Sequence, residues 1–182
     1  MKRYILTGAP GAGKTAIIRG LEADGLDVVE EAATDVIALR LARGEHEPHA
    51  KPNFIDDIVE LQRKRQIQAA SRTCEVQFHD RSAICTYALC VYLDRPVPAS
   101  LQRELERIKR EGIYQQQVFF IANLGFVTPS EARRISFEDS LRFEQVHHES
   151  YRRLGYECIQ IPAGPLMGRI ARIRARIDAD RG

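Results

Sequence analysis

The sequence has almost no excess charge. Its 27 lysines and arginines nearly balance 25 aspartates and glutamates, leaving a formal +2. Drawing a polyanion takes a marked basic excess, so nucleic acid is not expected as the main partner. Cysteine is sparse: Cys74, Cys85, Cys90 and Cys158 form no C-x-x-C pair, and reduced, mostly buried thiols are expected. No apolar run approaches the roughly 18 residues of a membrane span, so no membrane role is expected. The first strand begins by Arg3, which leaves no room for a charged and apolar leader; the cytoplasm is the expected compartment. Internal repeats, linkers and low-complexity stretches are also missing. The 182 residues, 44% apolar and 29% charged, suit one domain over 1–182. Oligomeric state is not legible.

What is present is an alternation of short apolar runs and longer helical patterns. The runs at 3–7, 27–30, 76–80, 117–122 and 157–161 are brief and β-branched or aromatic, and several lack in/out alternation. Strands covered on both faces read this way. Helical patterns fall at 14–24, 32–43, 54–73, 82–92, 99–111, 130–134, 136–153 and 166–179. "TPSE" (Thr128 to Glu131) and "SFED" (Ser136 to Asp139) offer helix starts. The order predicts an α/β fold, a parallel sheet with helices on both faces.

Between the first strand and first helix stands Gly8-Ala9-Pro10-Gly11-Ala12-Gly13-Lys14-Thr15, which satisfies G-x-x-x-x-G-K-[ST] in its required context. Glycines let successive backbone N–H groups curl around anionic oxygens, and the following helix, from Lys14 through Ala16, adds its positive end. Lys14 would reach the outer phosphates, and the Thr15 hydroxyl would join a Mg²⁺ shell. A nucleoside triphosphate, ATP by default, is expected here.

Three classes of phosphate-loop protein compete. A signalling GTPase needs N/T-K-x-D after a late strand; here that strand ends "IANLGF". A ring ATPase needs Asp-Glu at the end of its third strand; here "VQFHDRS" gives Asp80 then Arg81, and no helical lid domain of usual size follows. A small-molecule kinase needs a carboxylate, cations around the transferred group and an acceptor pocket. Asp80, at a strand end, suits magnesium; the Arg81 fork suits a phosphoryl group or an acceptor. Glu30 and Glu31 follow the second strand at the same sheet edge. One could take the acceptor's proton, with Glu30 slightly preferred, and the other could sit on magnesium or cap the next helix. Arg133, Arg134 and Arg142 are lid candidates, the lid spanning about 124–145.

The acceptor is expected between strands two and three. Phe54, Ile58 and Leu61 share a helix face that reads as core, although Phe54 with Gln62 and Arg65 could instead form an aromatic wall with polar handles. "GEHEPHAKPN", with His46 and His49, is a flap candidate rather than a metal site. His147 and His148 read as surface residues. Ala163 and Gly164, in "PAGP" after the last strand, are candidates for backbone contact with adenine. "RIARIRARI" reads as an amphipathic packing helix.

"GAPGAGKT", "VVEEAATDVI", "FHDRS" and "ESYRRLGYECIQIP" together resemble a small P-loop ATPase/kinase family, AAA-type ATP-binding proteins related to the nicotinamide riboside kinase domain of NAD-biosynthesis regulators. The likeness runs from about Lys2 to Pro162. It implies a three-layer α/β/α P-loop NTPase fold of the nucleoside-kinase kind, strand order 2-3-1-4-5, with a helical lid before the last strand. By that resemblance Glu30 or Glu31 would be the base, with Asp80 and Arg81 in the pair that deoxynucleoside kinases use beside the acceptor. Antibiotic phosphotransferases share the cradle, so the acceptor stays open. The expected activity is γ-phosphoryl transfer from ATP to a hydroxyl of a small metabolite. The alternative is a nucleotide-sensing module or slow ATPase without such an acceptor.

Overall fold

The computed structural model describes residues 1–8, 10–124 and 136–180. Five parallel strands form one sheet in the order β2-β3-β1-β4-β5. They are β1 (Lys2–Thr7), β2 (Asp27–Val29), β3 (Val76–Asp80), β4 (Gln117–Ile121) and β5 (Glu157–Ile161). The helices are α1 (Lys14–Ala23), α2 (Ala33–Ala42), α3 (Phe54–Ala69), α4 (Ala83–Tyr92), α5 (Ala99–Glu111), α6 (Phe137–Arg153) and α7 (Leu166–Ala179). The strand order matches the expectation from resemblance. The helix expected over 130–134, and its "TPSE" start, lie outside the described residues.

Strands β1, β3 and β4 fill the middle, each buried on both faces, β3 with Gln77 and His79 on one of them. Tyr4, Phe78 and Phe119 meet as three tilted rings with centroids 5.5–6.0 Å apart. On that face Ile17 and Leu21 of α1 and Ile170, Ile173 and Ile177 of α7 complete one core. The opposite face buries Ile5 and Val118 with Ile84, Cys85 and Tyr151, and a further core joins α3 to α4 and α5. A side chain of this kind contributes roughly 1.5–3 kcal/mol on burial.

The sheet edge at β2 is only three residues long. Arg72 donates to the Val28 carbonyl at 3.0 Å and to Asp27, while Arg65 donates to the Glu30 and Glu31 carbonyls and to Asp35. That task explains why α3 stops at Ala69 rather than running to 73: Ser71 bonds back to the Gln68 carbonyl at 2.8 Å, and Arg72 turns in toward β2. Ser136 caps α6 by accepting the Asp139 N–H at 3.0 Å, as "SFED" predicts.

Strand β3 runs beside β1 with Asp80 opposite Leu6, and the Arg81 N–H bonds the Leu6 carbonyl at 3.0 Å. The ends of β1 and β3 therefore open side by side. Residues just after β1, β2 and β4, with Asp80 and Arg81 at the end of β3, line one cleft at this carboxyl edge, where ligands of such sheets sit. Among the described residues, no helix is long and apolar enough to cross a membrane. All four cysteines are free thiols; Cys85 and Cys90 are buried, Cys74 and Cys158 half-buried.

Candidate active site

The loop after β1 has the shape its glycines imply. Gly8, Gly11 and Gly13 hold φ of 136°, 83° and 79°, which side-chain-bearing residues rarely adopt. A Cβ at Gly8 would stand 2.3 Å from the Ile121 carbonyl oxygen, so the loop lies directly against the end of β4. Gly13 leads into α1, whose first turn presents backbone N–H groups. Lys14 is buried, its ammonium donating to the Gly8 carbonyl at 2.9 Å, back across the loop. Ala12 is fully buried beneath, and Ala9 lies outside the described residues.

A cleft of about 840 Å³ opens over this loop, with Pro10, Gly11, Gly13, Lys14, Thr15 and Ala16 on its floor. Asp80 and Arg81 line it from β3, and Glu30 and Glu31 from the end of β2. The proposed magnesium pair, Thr15 and Asp80, thus shares one cavity. Among the described residues no three His, Cys, Asp or Glu side chains gather into a ready metal cluster.

The two glutamates part company. Glu30 points outward, about half exposed, and pairs with Arg19 at 3.0 Å. Glu31 turns in and accepts the Ala33 and Thr34 N–H groups at 2.6 and 2.9 Å, capping α2. Arg81 stands at φ 71°, a left-handed conformation that costs a side-chain-bearing residue of order 1–3 kcal/mol. Burial works against its charge; Cys85, Glu31 and Asp80 around it more than offset that and hold the guanidinium above its ordinary value.

Behind Arg81 is a buried polar core. His147 of α6, fully buried, donates Nδ1–H to the Phe143 carbonyl at 3.0 Å and turns Nε2 to the Arg81 guanidinium at 3.4 Å. Burial, then the Arg81 cation, pushes its pKa down to about 3, so the ring is neutral and accepts from Arg81. Tyr151 bonds both Ser82, the α4 cap, and the Cys85 thiol, which also meets Thr7 at the mouth of the loop. The cradle, the Asp-Arg turn, α4 and α6 are thereby joined by one network.

Several sequence expectations shift. His147 is not a surface residue, and His148 is half-buried with its ring edge-on to Phe120 at 5.4 Å. Their exposure was misread because α6 buries Ser140, Phe143, His147, Ser150 and Tyr151 along one stripe. Phe54 is core, as its helix stripe reads; the aromatic side chain that lines the cleft is Phe143 of α6, with Ile37, Ile58 and Leu89. Gln62 does reach the cleft, its carbonyl taking the Thr86 hydroxyl at 3.0 Å, while Arg65 is committed to the chain after β2. His46 and His49 are exposed, and Arg95 fastens the flap at the His49 carbonyl. Arg142 lies over the Tyr92 ring at 5.7 Å and does not line the cleft. Arg133 and Arg134 lie outside the described residues. Ala163 and Gly164 are exposed and follow β5 at the same sheet edge, tied to β4 through Ala122 N–H and the Ile161 carbonyl.

Two residues went unnoticed in the sequence. Glu144 of α6 accepts the Asn123 N–H at 3.2 Å; burial lifts its carboxyl above the usual range, while Asn123 and the nearby Lys14 ammonium pull it back. Arg169 of α7 is buried against the cradle and donates to the Ala12 carbonyl at 2.8 Å. A signal existed for it, because 169, 173 and 177 form a four-residue stripe whose other members are core isoleucines.

The profile of a family described as an AAA domain matches residues 3–169. No curated protein matches the sequence significantly. Among solved structures, a deoxyadenosine kinase from M. mycoides, with dCMP and a flexible dCDP bound, superposes with TM-score 0.66 at 13% identity over 97% of this chain and 99% of its own. Thymidylate kinase from Ehrlichia chaffeensis gives 0.63 at 11% identity, covering 97% and 98%. That of Candida albicans gives 0.61 at 9%, covering 99% and 92%. At such identities the likeness is one of fold. The chain belongs to this AAA-domain family of P-loop proteins and has the three-layer fold of nucleoside and nucleotide kinases.

Proposed function

We propose that this protein transfers the γ-phosphoryl group of ATP to a hydroxyl of a small, nucleoside-like metabolite. The observation that carries the reading is the shared cavity. One cleft holds the phosphate loop, the Asp80–Arg81 turn and a half-apolar recess of Ile37, Ile58, Gln62, Thr86 and Phe143. A hydrolase acting on solvent has no need of such a recess, and a kinase has.

In this reading the cradle N–H groups and Lys14 hold the β- and γ-phosphates. Arg81, kept in place by His147, binds the acceptor or the phosphoryl group in flight. The acceptor oxygen attacks the γ-phosphorus, the bond to the bridging oxygen breaks, and ADP leaves. The hydroxyl proton goes to a glutamate. The geometry favours Glu31 over Glu30, since Glu31 faces inward toward Arg81 and its carboxylate keeps about two lone-pair sites beyond its helix-capping bonds. Thr15 and Asp80 are the residues that would hold Mg²⁺, which when bound supplies charge neutralisation on the phosphates. Residues 1–182 act as one domain, with Arg133 and Arg134 as the lid cations, α6 from Phe137 onward belonging to the body rather than to a lid, and Ala163 and Gly164 against the adenine.

The test is acceptor-dependent ADP release from the purified protein across nucleosides, aminoglycosides and sugars. Turnover with one class, nucleosides first, is expected. Tight ATP binding with no acceptor turnover in any class would replace the kinase by a nucleotide-sensing module.

A further inference from the structure

Among the described residues, the buried Arg40 and Arg169 and the half-buried Arg107 are treated in two ways. Arg40 has Asp57 and Glu45, and Arg107 has Glu104 and Glu111. Hydrogen bonds donated to Asp57 and to Glu104, respectively, hold both above the ordinary arginine value. Arg169 has no carboxylate partner among the described residues. It is 4% exposed, and its bonds go to two backbone carbonyls, Ala12 in the cradle at 2.8 Å and Ala122 after β4 at 2.9 Å. Among the described residues its buried Nε has no hydrogen-bond partner, and burial lowers its pKa. Carbonyl dipoles do not neutralise a buried cation, and among the described residues no carboxylate compensates the positive charge at this spot.

That spot is the phosphate loop itself. A Cβ on Gly13 would meet Nη1 of Arg169 at 3.2 Å, which places the guanidinium against the last cradle glycine, next to Lys14 in sequence. We propose that Arg169 is a second cationic element of the nucleotide site: it fixes the cradle through Ala12, and the bound phosphates supply the counter-charge it lacks. Given the nucleotide reading on which this depends, α7 then senses whether a polyphosphate is present, through a residue that need not touch it.

The prediction is a graded loss. A group that acts by charge should matter more the more negative the ligand, whereas a purely structural tie should affect every ligand alike. Equilibrium binding of ATP, ADP, AMP and inorganic tripolyphosphate would be measured on the full chain for wild type, Arg169→Gln and Arg169→Lys, with thermal melts alongside. Arg169→Gln is expected to weaken ATP and tripolyphosphate by about tenfold, ADP less and AMP least. Arg169→Lys keeps the charge and should hold the ATP-to-AMP affinity ratio within about twofold of wild type. Equal losses for ATP and AMP in the glutamine variant, or no loss at all, overturn the proposal. Should that variant fail to fold, a lysine variant with a collapsed ATP-to-AMP ratio overturns it, and a preserved ratio supports it. A wild-type chain that binds neither ATP nor tripolyphosphate removes the nucleotide reading together with this one; a binding wild type with ungraded losses removes only this one.

Discussion

Consider Glu31→Gln and Glu30→Gln made side by side. Glu31 holds the first turn of α2 through the Ala33 and Thr34 N–H groups. An amide keeps one acceptor and turns its NH₂ toward a backbone N–H. The loss of one charge-assisted bond and of negative charge at a helix start costs about 1–2 kcal/mol. For a chain of this size that lowers the melting temperature by roughly 2–8 °C. Removing the proton acceptor costs far more in rate, about 10²–10⁴ in turnover. The variant should therefore stay folded at 25 °C and still be nearly inactive. Glu30→Gln removes only an exposed pair with Arg19 and should change neither quantity measurably. Acceptor-dependent ADP release at saturating ATP, with melts on the same samples, reads both effects. Full turnover in Glu31→Gln, or a collapse in Glu30→Gln, would show that the inward-facing carboxylate is not the base.

Lys14→Ala should nearly abolish turnover and weaken ATP binding, measured by titration, since its ammonium reaches back across the loop to the Gly8 carbonyl, where the outer phosphates are expected. Gly8→Ala must displace the Ile121 carbonyl and hold alanine at φ 136°, so a melting-temperature drop and lost nucleotide binding are expected together. His147→Leu should raise the acceptor KM with ATP affinity unchanged, and His147→Gln should recover part of it; equal shifts for both substrates would refute a role through Arg81. His79 and His147 both have folded values near 3, each chiefly through burial. The unfolded chain binds their protons from about pH 6.5 downward, so stability is full above that value and lost as pH falls toward 3. The slope is ~1.4 kcal/mol per pH unit for each histidine, readable by denaturant titration at pH 7 and 5.

The frame of this protein was open to reading because its signals are local. The strand at 76–80 and the helices at 99–111 and 166–179 are bounded by the residues that begin and end them, and the glycine loop carries its own backbone geometry. The strand order came from resemblance, since nothing local says which strands are neighbours. What escaped was set by partners distant in sequence. His147 looks polar until α6 is laid on α4, when it lies on the buried stripe with Phe143 and Tyr151 behind Arg81. Phe54 reads as core and is core, but nothing local says that Phe143 of α6 lines the cleft. Arg169 lies 157 positions from the carbonyl it holds. Only its seat on an isoleucine stripe hinted that one arginine of that helix turns inward. Glu30 and Glu31 are neighbours with opposite aims, a difference decided by which of them starts α2 and which meets Arg19.

The short outer strand has a bearing on assembly. With Arg72 on the Val28 carbonyl and Arg65 on those of Glu30 and Glu31, guanidinium groups already occupy the acceptors that an incoming strand would need. A neighbouring molecule cannot lengthen the sheet along that border without first prising two arginines away. Strand-to-strand association at this end of the sheet is thereby turned away from the cleft that Glu30 and Glu31 line.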